Sequence, residues 1–153
     1  MPDSTRHAVE DRTEGGLAGL QELPGSIDVS AFAQILCMDD DEDEHEFSQS
    51  IVLAFFDQAK QTFAKMDNAV GAGDLAELSS LGHLLKSSSA TLGLTKIKDN
   101  CRDIQYYGLK KDDTGVVDEP DDGKCLSRIK DSLTAVKGEC DRVENALQKF
   151  FAS

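Results

Sequence analysis

Eight apolar residues, Cys125, Ile129, Leu133, Val136, Cys140, Val143, Leu147 and Phe150, recur at steps of four, four, three, four, three, four and three. Each residue of an α-helix turns about 100°, so these steps keep all of them on one side of one long helix. A single helix with one apolar side is marginal in water, and its stripe has to be covered by helices running alongside. The chain is therefore expected to build a bundle around this segment. Gly138 lies inside it and costs on the order of 1 kcal/mol against Ala, a defect that packing absorbs.

The partners are found upstream. Residues 1–25 carry mixed charge, Gly15, Gly16, Gly19, Pro24 and Gly25, with little periodicity, and read as a disordered tail in which His7 has no role. A short helix follows from about Asp28, its N-cap, to Met38, with Val29, Phe32 and Leu36 as the inner edge. Ile35 and Met38 spill onto a second apolar face. The acidic run from Asp39 to Glu46 fails as a calcium loop, because Glu44 stands where Gly is needed and Ser50 where Glu is needed. It reads as a solvated linker, His45 included. A long helix from Phe47 to Val70 presents Ile51, Phe55, Ala59, Thr62, Met66 and Val70 on one face, leaving Phe47 off it. Gly71-Ala72-Gly73 ends it, and Asp74 caps the next helix, which stops at Gly93. The fourth begins near Thr95, buries Ile97, Cys101 and Ile104, and closes at Gly108. Such short turns force antiparallel neighbours. The expected fold is all-α: residues 1–25 a tail, and residues 26–153 an antiparallel four-helix bundle with an added short N-terminal helix.

On the helix before Gly93, Leu75, Leu78, Leu81, Leu85 and Leu92 gather on one side, and His83 points about 170° from their centre. Around it on the outer face fall Ser79, Ser80, Lys86, Ser87 and Ala90. All but Lys86 are small, so another protein can bring its backbone close to the imidazole. Lys86 lies one turn on, close enough to act on a charge carried by the ring. Leu84, beside His83, is off the leucine stripe.

The net charge of −13 argues against nucleic acid and anionic membrane surfaces, since no basic stripe exists to meet phosphates. No apolar run approaches the roughly 18 residues of a spanning helix, and no signal-peptide core opens the chain. Cys37, Cys101, Cys125 and Cys140 lack metal-site spacing and read as buried small hydrophobes in a reducing compartment.

The words HLLKSSSATLGL (His83 to Leu94) and CRDIQYYG (Cys101 to Gly108) resemble the histidine-containing phosphotransfer (HPt) domain, and more narrowly the fungal phosphorelay intermediates of osmotic-stress signalling. The likeness extends upstream through Ile35 to Asp41, Phe47-Ser48, Phe55 to Ala59 and Thr62 to Met66, covering roughly residues 28 to 109. One departure is plain: the family usually has Gly directly after the lysine, where this chain has Ser87.

The resemblance implies that His83 is phosphorylated, with Lys86, Ser87 and Gln105 around it. It also implies that Ile35, Met38, Phe47 and Leu84, each off its helix's core stripe, form one apolar docking surface for receiver domains. Those receivers would belong to a hybrid sensor histidine kinase and to downstream response regulators. The chain would be a monomer of cytoplasm and nucleus, a covalent phosphocarrier without ATP-dependent kinase activity and without a cofactor or metal of its own. Any Mg²⁺ would come from the receiver. Imidazole suits the task because its unperturbed pKa of about 6.5 leaves a neutral nucleophilic nitrogen at cellular pH. Two other readings stay open: a helical adaptor in which His83 is incidental, and a pseudo-phosphotransfer protein in which Ser87 marks lost chemistry.

Overall fold

The structure is a computed structural model that describes residues 26–39 and 45–152. The tail expected over 1–25, His7 and most of the acidic run lie outside the described residues. Among the described residues five helices follow one another: α1 (Val29–Leu36), α2 (Glu46–Ala72), α3 (Leu75–Thr91), α4 (Thr95–Gly108) and α5 (Asp122–Ala152).

The helices start and stop where local chemistry directs. Asp28 accepts the Ala31 N–H at 3.3 Å and Asp74 accepts the Glu77 N–H at 3.1 Å, so both aspartates cap the first turn of a helix. α2 ends on Gly73 in the left-handed conformation, φ 68°. The segment between α4 and α5 is a loop pinched by an antiparallel bridge between Lys111 and Asp118.

α2 to α5 form a closed four-helix bundle in which α3 packs on α4, α4 on α5, α5 on α2 and α2 on α3. Ion pairs cross the α2–α5 seam in antiparallel register: Lys137 to Asp67 at 2.8 Å and Lys60 to Glu144 at 3.4 Å. All eight residues of the α5 stripe are buried, and all but Cys125 join Phe55, Met66, Leu78, Leu85, Ile97 and Ile104 in one core. α1 closes one end. Its Phe32 meets Phe150 edge-on, ring centroids 5.8 Å apart, with Phe151 at 6.3 Å. The Asp28 N–H donates to the Gly93 carbonyl at 2.6 Å, and the Thr95 N–H to that of Ser26 at 3.1 Å. The entry to α1 is thereby pinned to the α3–α4 turn.

Four expectations are corrected. The buried edge of α1 is Phe32 and Ile35, whereas Val29 and Leu36 are half-buried. Of the four cysteines, Cys37 is exposed, just past the end of α1. The other three are buried, and burial pushes the thiols of Cys101 and Cys140 up to about 12, which leaves them unreactive. Ser79, expected on the outer face of α3, is buried.

The fourth correction concerns the acidic run, because Asp39 is no solvated linker residue. Its side chain is 1% exposed and accepts the Ser48 N–H at 2.8 Å and the Ser48 hydroxyl at 2.7 Å. His45 is half-buried instead of freely solvated. Its Nδ1 lies 3.1 Å from the Asp39 carboxylate, and its ring packs on Phe150 and Phe151 at 5.7 and 5.9 Å. Burial works against the Asp39 charge, but the Ser48 bonds and His45 outweigh it and hold the carboxyl below its usual range. One carboxylate thus joins the end of α1, the start of α2 and the end of α5.

Candidate functional site

α3 carries the site, and its sequence turns one side inward and the other to water. Leu78, Leu81 and Leu85 are buried, while Ser80, His83, Leu84, Ser87 and Ala90 are exposed, with Lys86 half-buried. The serine run does not break the helix because each hydroxyl folds back onto its own backbone. Ser87 Oγ donates to the His83 carbonyl at 3.1 Å, Ser88 Oγ to that of Leu84 at 3.3 Å and Ser89 Oγ to that of Lys86 at 2.9 Å. The Ser87 hydroxyl therefore points along the helix, away from the space over the imidazole.

The other wall is α4, whose backbone comes close to that of α3 at two glycines. A Cβ on Gly82 would stand 2.8 Å from the Cys101 carbonyl oxygen and 3.0 Å from the Gln105 nitrogen. A Cβ on Gly108 would stand 2.7 Å from both the Leu75 oxygen and the Ser79 nitrogen. Only glycine permits such contact. This approach covers Ser79, and it brings residues 101–105 of α4 to the level of His83. Gln105 is half-buried, and its Oε1 is buried without a partner.

Among the described residues neither ring nitrogen of His83 has a hydrogen-bond partner, and Lys86 has no ion pair. No group of three His, Cys, Asp or Glu among them is placed to hold a metal ion, and no helix among them is long and apolar enough to cross a membrane. What the arrangement offers is an accessible imidazole, a cation one turn away, an amide on the facing helix and room above.

A family model described as the Hpt domain matches residues 50–147. The chain belongs to the Hpt domain family. It is 52% identical over 110 residues to the multistep phosphorelay regulator 1 of Schizosaccharomyces pombe, a match over 72% of this chain and 37% of that protein. It is 45% identical over 98 residues to the phosphorelay intermediate protein YPD1 of Candida albicans, covering 64% of this chain and 52% of that one. The matched segments thus span about half or less of these curated relatives. Among solved structures, yeast Ypd1p superposes with a TM-score of 0.72 at 28% identity, covering 86% of this chain and 98% of that one. The co-crystal structure of Saccharomyces cerevisiae Ypd1 with the receiver domain of its downstream response regulator Ssk1 matches at a TM-score of 0.74 and 29% identity, covering 86% and 98%. The Hpt helical bundle expected from the sequence is the fold observed.

Of the candidate docking residues of this Hpt domain, Met38, Phe47 and Leu84 are 59, 46 and 47% exposed. Ile35 is not among them. At 7% exposed it belongs to the core, because its three-residue step from Phe32 puts it on the same side of α1. Sequence reasoning also passed over Gly82 and Gly108, which set how near α4 stands to His83. Their signal is a row of small residues, Ser79, Gly82 and Ser89, on the inner side of α3.

Proposed function

We propose that this chain is a histidine phosphotransfer protein that relays a phosphoryl group between receiver-domain aspartates, with His83 as the residue phosphorylated. The carrying observation is His83 itself, an exposed, unpartnered imidazole on a face of small residues with Lys86 one turn on. In the accepting step the free ring nitrogen attacks the phosphorus of an aspartyl phosphate. The N–P bond forms, the P–O bond to the carboxyl breaks, and the carboxylate leaves with the electron pair. The second ring nitrogen keeps its proton, so the ring becomes a cation bearing the dianionic phosphoryl group, the released carboxylate takes the remaining negative charge, and total charge is conserved. The reverse step on a second receiver completes the relay.

In-line transfer needs cations on the phosphoryl oxygens. Lys86 supplies one from this chain, and Mg²⁺ comes with the receiver's aspartate pocket. Gln105 borders the site from α4. Met38, Phe47 and Leu84 form the apolar surface on which the receiver docks. The partners in this reading are receivers of a hybrid sensor histidine kinase and of downstream regulators in a stress pathway such as the osmotic response. The chain acts as a monomer in the cytoplasm and nucleus and phosphorylates nothing from ATP. The Ssk1 receiver complex of the related yeast protein supports receivers as the partner class.

The test is transfer of labelled phosphate from a phosphorylated receiver. Acid-labile, alkali-stable label on this chain, absent in His83→Gln, is the expected result. Receiver binding without label makes it a pseudo-phosphotransfer protein, and no receiver binding makes it an adaptor of another kind.

A further inference from the structure

Opposite Lys86, α4 offers a cation held only by long contacts to two carboxylates. The backbone of Cys101 to Gln105 runs against Gly82, at the level of His83. Ile97, Cys101, Ile104 and Gly108 are the buried positions of α4. On another side of the helix Tyr107 turns to α5, where the Arg128 guanidinium stands 5.8 Å from its ring centroid. At 100° per residue, Arg102 and Gln105 then fall on the remaining side, toward the outer edge of α3 that carries His83 and Lys86.

Arg102 is half-buried, and its Nε is buried without a partner. Its terminal nitrogens lie 3.6 Å from Asp99 Oδ1 and 3.6 Å from Asp103 Oδ1, beyond the length of a good hydrogen bond. Asp103 is moreover a reluctant anion, because burial raises its carboxyl above the usual range despite Arg102. The guanidinium is thus steadied by two carboxylates while its fork of donors stays available.

We propose that Arg102 is a second phosphate-binding residue of the site, closing on the phosphoryl group of phospho-His83 from α4 while Lys86 holds it from α3. A planar fork suits two phosphoryl oxygens. Packed helices stand about 8–10 Å apart, which an arginine side chain spans. Asp99 and Asp103 hold Arg102 in reserve when His83 is unmodified, and the dianionic phosphoryl group draws it over. The inference rests on His83 being the phosphorylated residue, and its test needs no receiver.

The chain is phosphorylated with potassium phosphoramidate, and the phospho-His83 signal, identified by its absence in His83→Gln, is followed by ³¹P NMR against pH. A nearby guanidinium disfavours protonation of the phosphohistidine ring, so Arg102→Gln should raise the ring pKa seen in the ³¹P shift by about half a unit. Arg102→Lys should restore part of that shift, and Asp99→Asn, which frees the fork, should move it the other way. A purely structural arginine would change the melting temperature and leave the titration curve in place. Superimposable curves for the parent and Arg102→Gln overturn the proposal, as does a parent chain that takes no label on His83 from phosphoramidate. A chain labelled by phosphoramidate but not by any receiver refutes the relay and leaves Arg102 to be judged by its titration.

Discussion

Replacing Asp39 tests whether one buried carboxylate holds the end of the bundle together. In the Ala variant the Ser48 N–H and hydroxyl, at 2.8 and 2.7 Å, both lose an ionised acceptor, and His45 loses its neighbour at 3.1 Å. Hydrogen bonds to a charged group contribute about 1.5–3 kcal/mol each, and the bonds share one carboxylate, so they do not simply add. With the side chain only 1% exposed, solvent screening removes little of this. The expected loss is about 3 kcal/mol for Asp39→Ala and about 1.5 kcal/mol for Asp39→Asn, which keeps one acceptor oxygen. For a domain of this size that is a drop of roughly 6–12 °C for Ala and about half as much for Asn. Urea unfolding followed by circular dichroism at pH 7 measures both. The pH dependence adds a check of sign. A carboxyl held below its unfolded value stabilises fully above about pH 4 and loses that contribution as pH falls through the folded pKa. The gap between parent and Asn variant should therefore be widest at neutral pH and shrink in acid. An Asn variant within 0.5 kcal/mol of the parent at pH 7, or a gap unchanged at pH 3, would refute the reasoning.

His83→Gln should abolish labelling by a phosphorylated receiver and shift stability by no more than about 0.5 kcal/mol, since the ring is exposed and unpartnered; retained transfer would sink the central assignment. Lys86→Ala should slow transfer and shorten the life of the phosphorylated form, both read from label decay, and rates matching the parent would leave Lys86 a surface role only. Gly82→Ala should cost about 1–3 kcal/mol in urea unfolding, because its Cβ meets the Cys101 carbonyl oxygen at 2.8 Å, and should slow transfer by moving α4. Ser87→Gly should change the transfer rate little, since the hydroxyl already folds onto the His83 carbonyl, whereas Ser87→Gln should block transfer without unfolding; a Gly variant far faster than the parent would mark Ser87 as an impairment.

The parts of the fold that repeat were readable from spacing, and the parts made by single contacts were not. The α5 stripe, the outward position of His83 and the caps at Asp28 and Asp74 depend on residues within a few positions of one another. By contrast, the role of His45 is set by Phe150 and Phe151, more than a hundred positions away, and no local pattern points to that meeting. Asp39 was lost in the average of the acidic run around it, although a carboxylate nine positions before Ser48 is the group that α2's first turn needs. Ser79 and Ile35 failed for a related reason. Each stands near the border of an apolar stripe, where burial depends on how close the neighbouring helix comes. Gly108 decides that for Ser79, and the Phe32 contact with α5 decides the rotation of α1.

A chain with a net charge of −13 handling a dianion looks contradictory until distance is considered. At physiological ionic strength a charge is felt over about 8–10 Å, so a phosphoryl group on His83 responds to its immediate surroundings and not to the whole surface. On the α2–α5 seam the cations are matched, Lys60 by Glu144 and Lys137 by Asp67. On α3 and α4 the balance differs. Lys86 and Lys98 have no ion pair among the described residues, and the carboxylates beside Arg102 stand 3.6 Å off. Lys65 on α2 and Lys130 and Lys149 on α5 are likewise unpaired among the described residues, so what counts at the imidazole is that Lys86, one turn away, has no carboxylate competing for it. The bulk of the acidity belongs to the rest of the surface, and the two charge patterns coexist because water and salt separate them. Phosphate chemistry at His83 should then depend on a few side chains of α3 and α4, and be nearly indifferent to the carboxylates elsewhere that set the net charge.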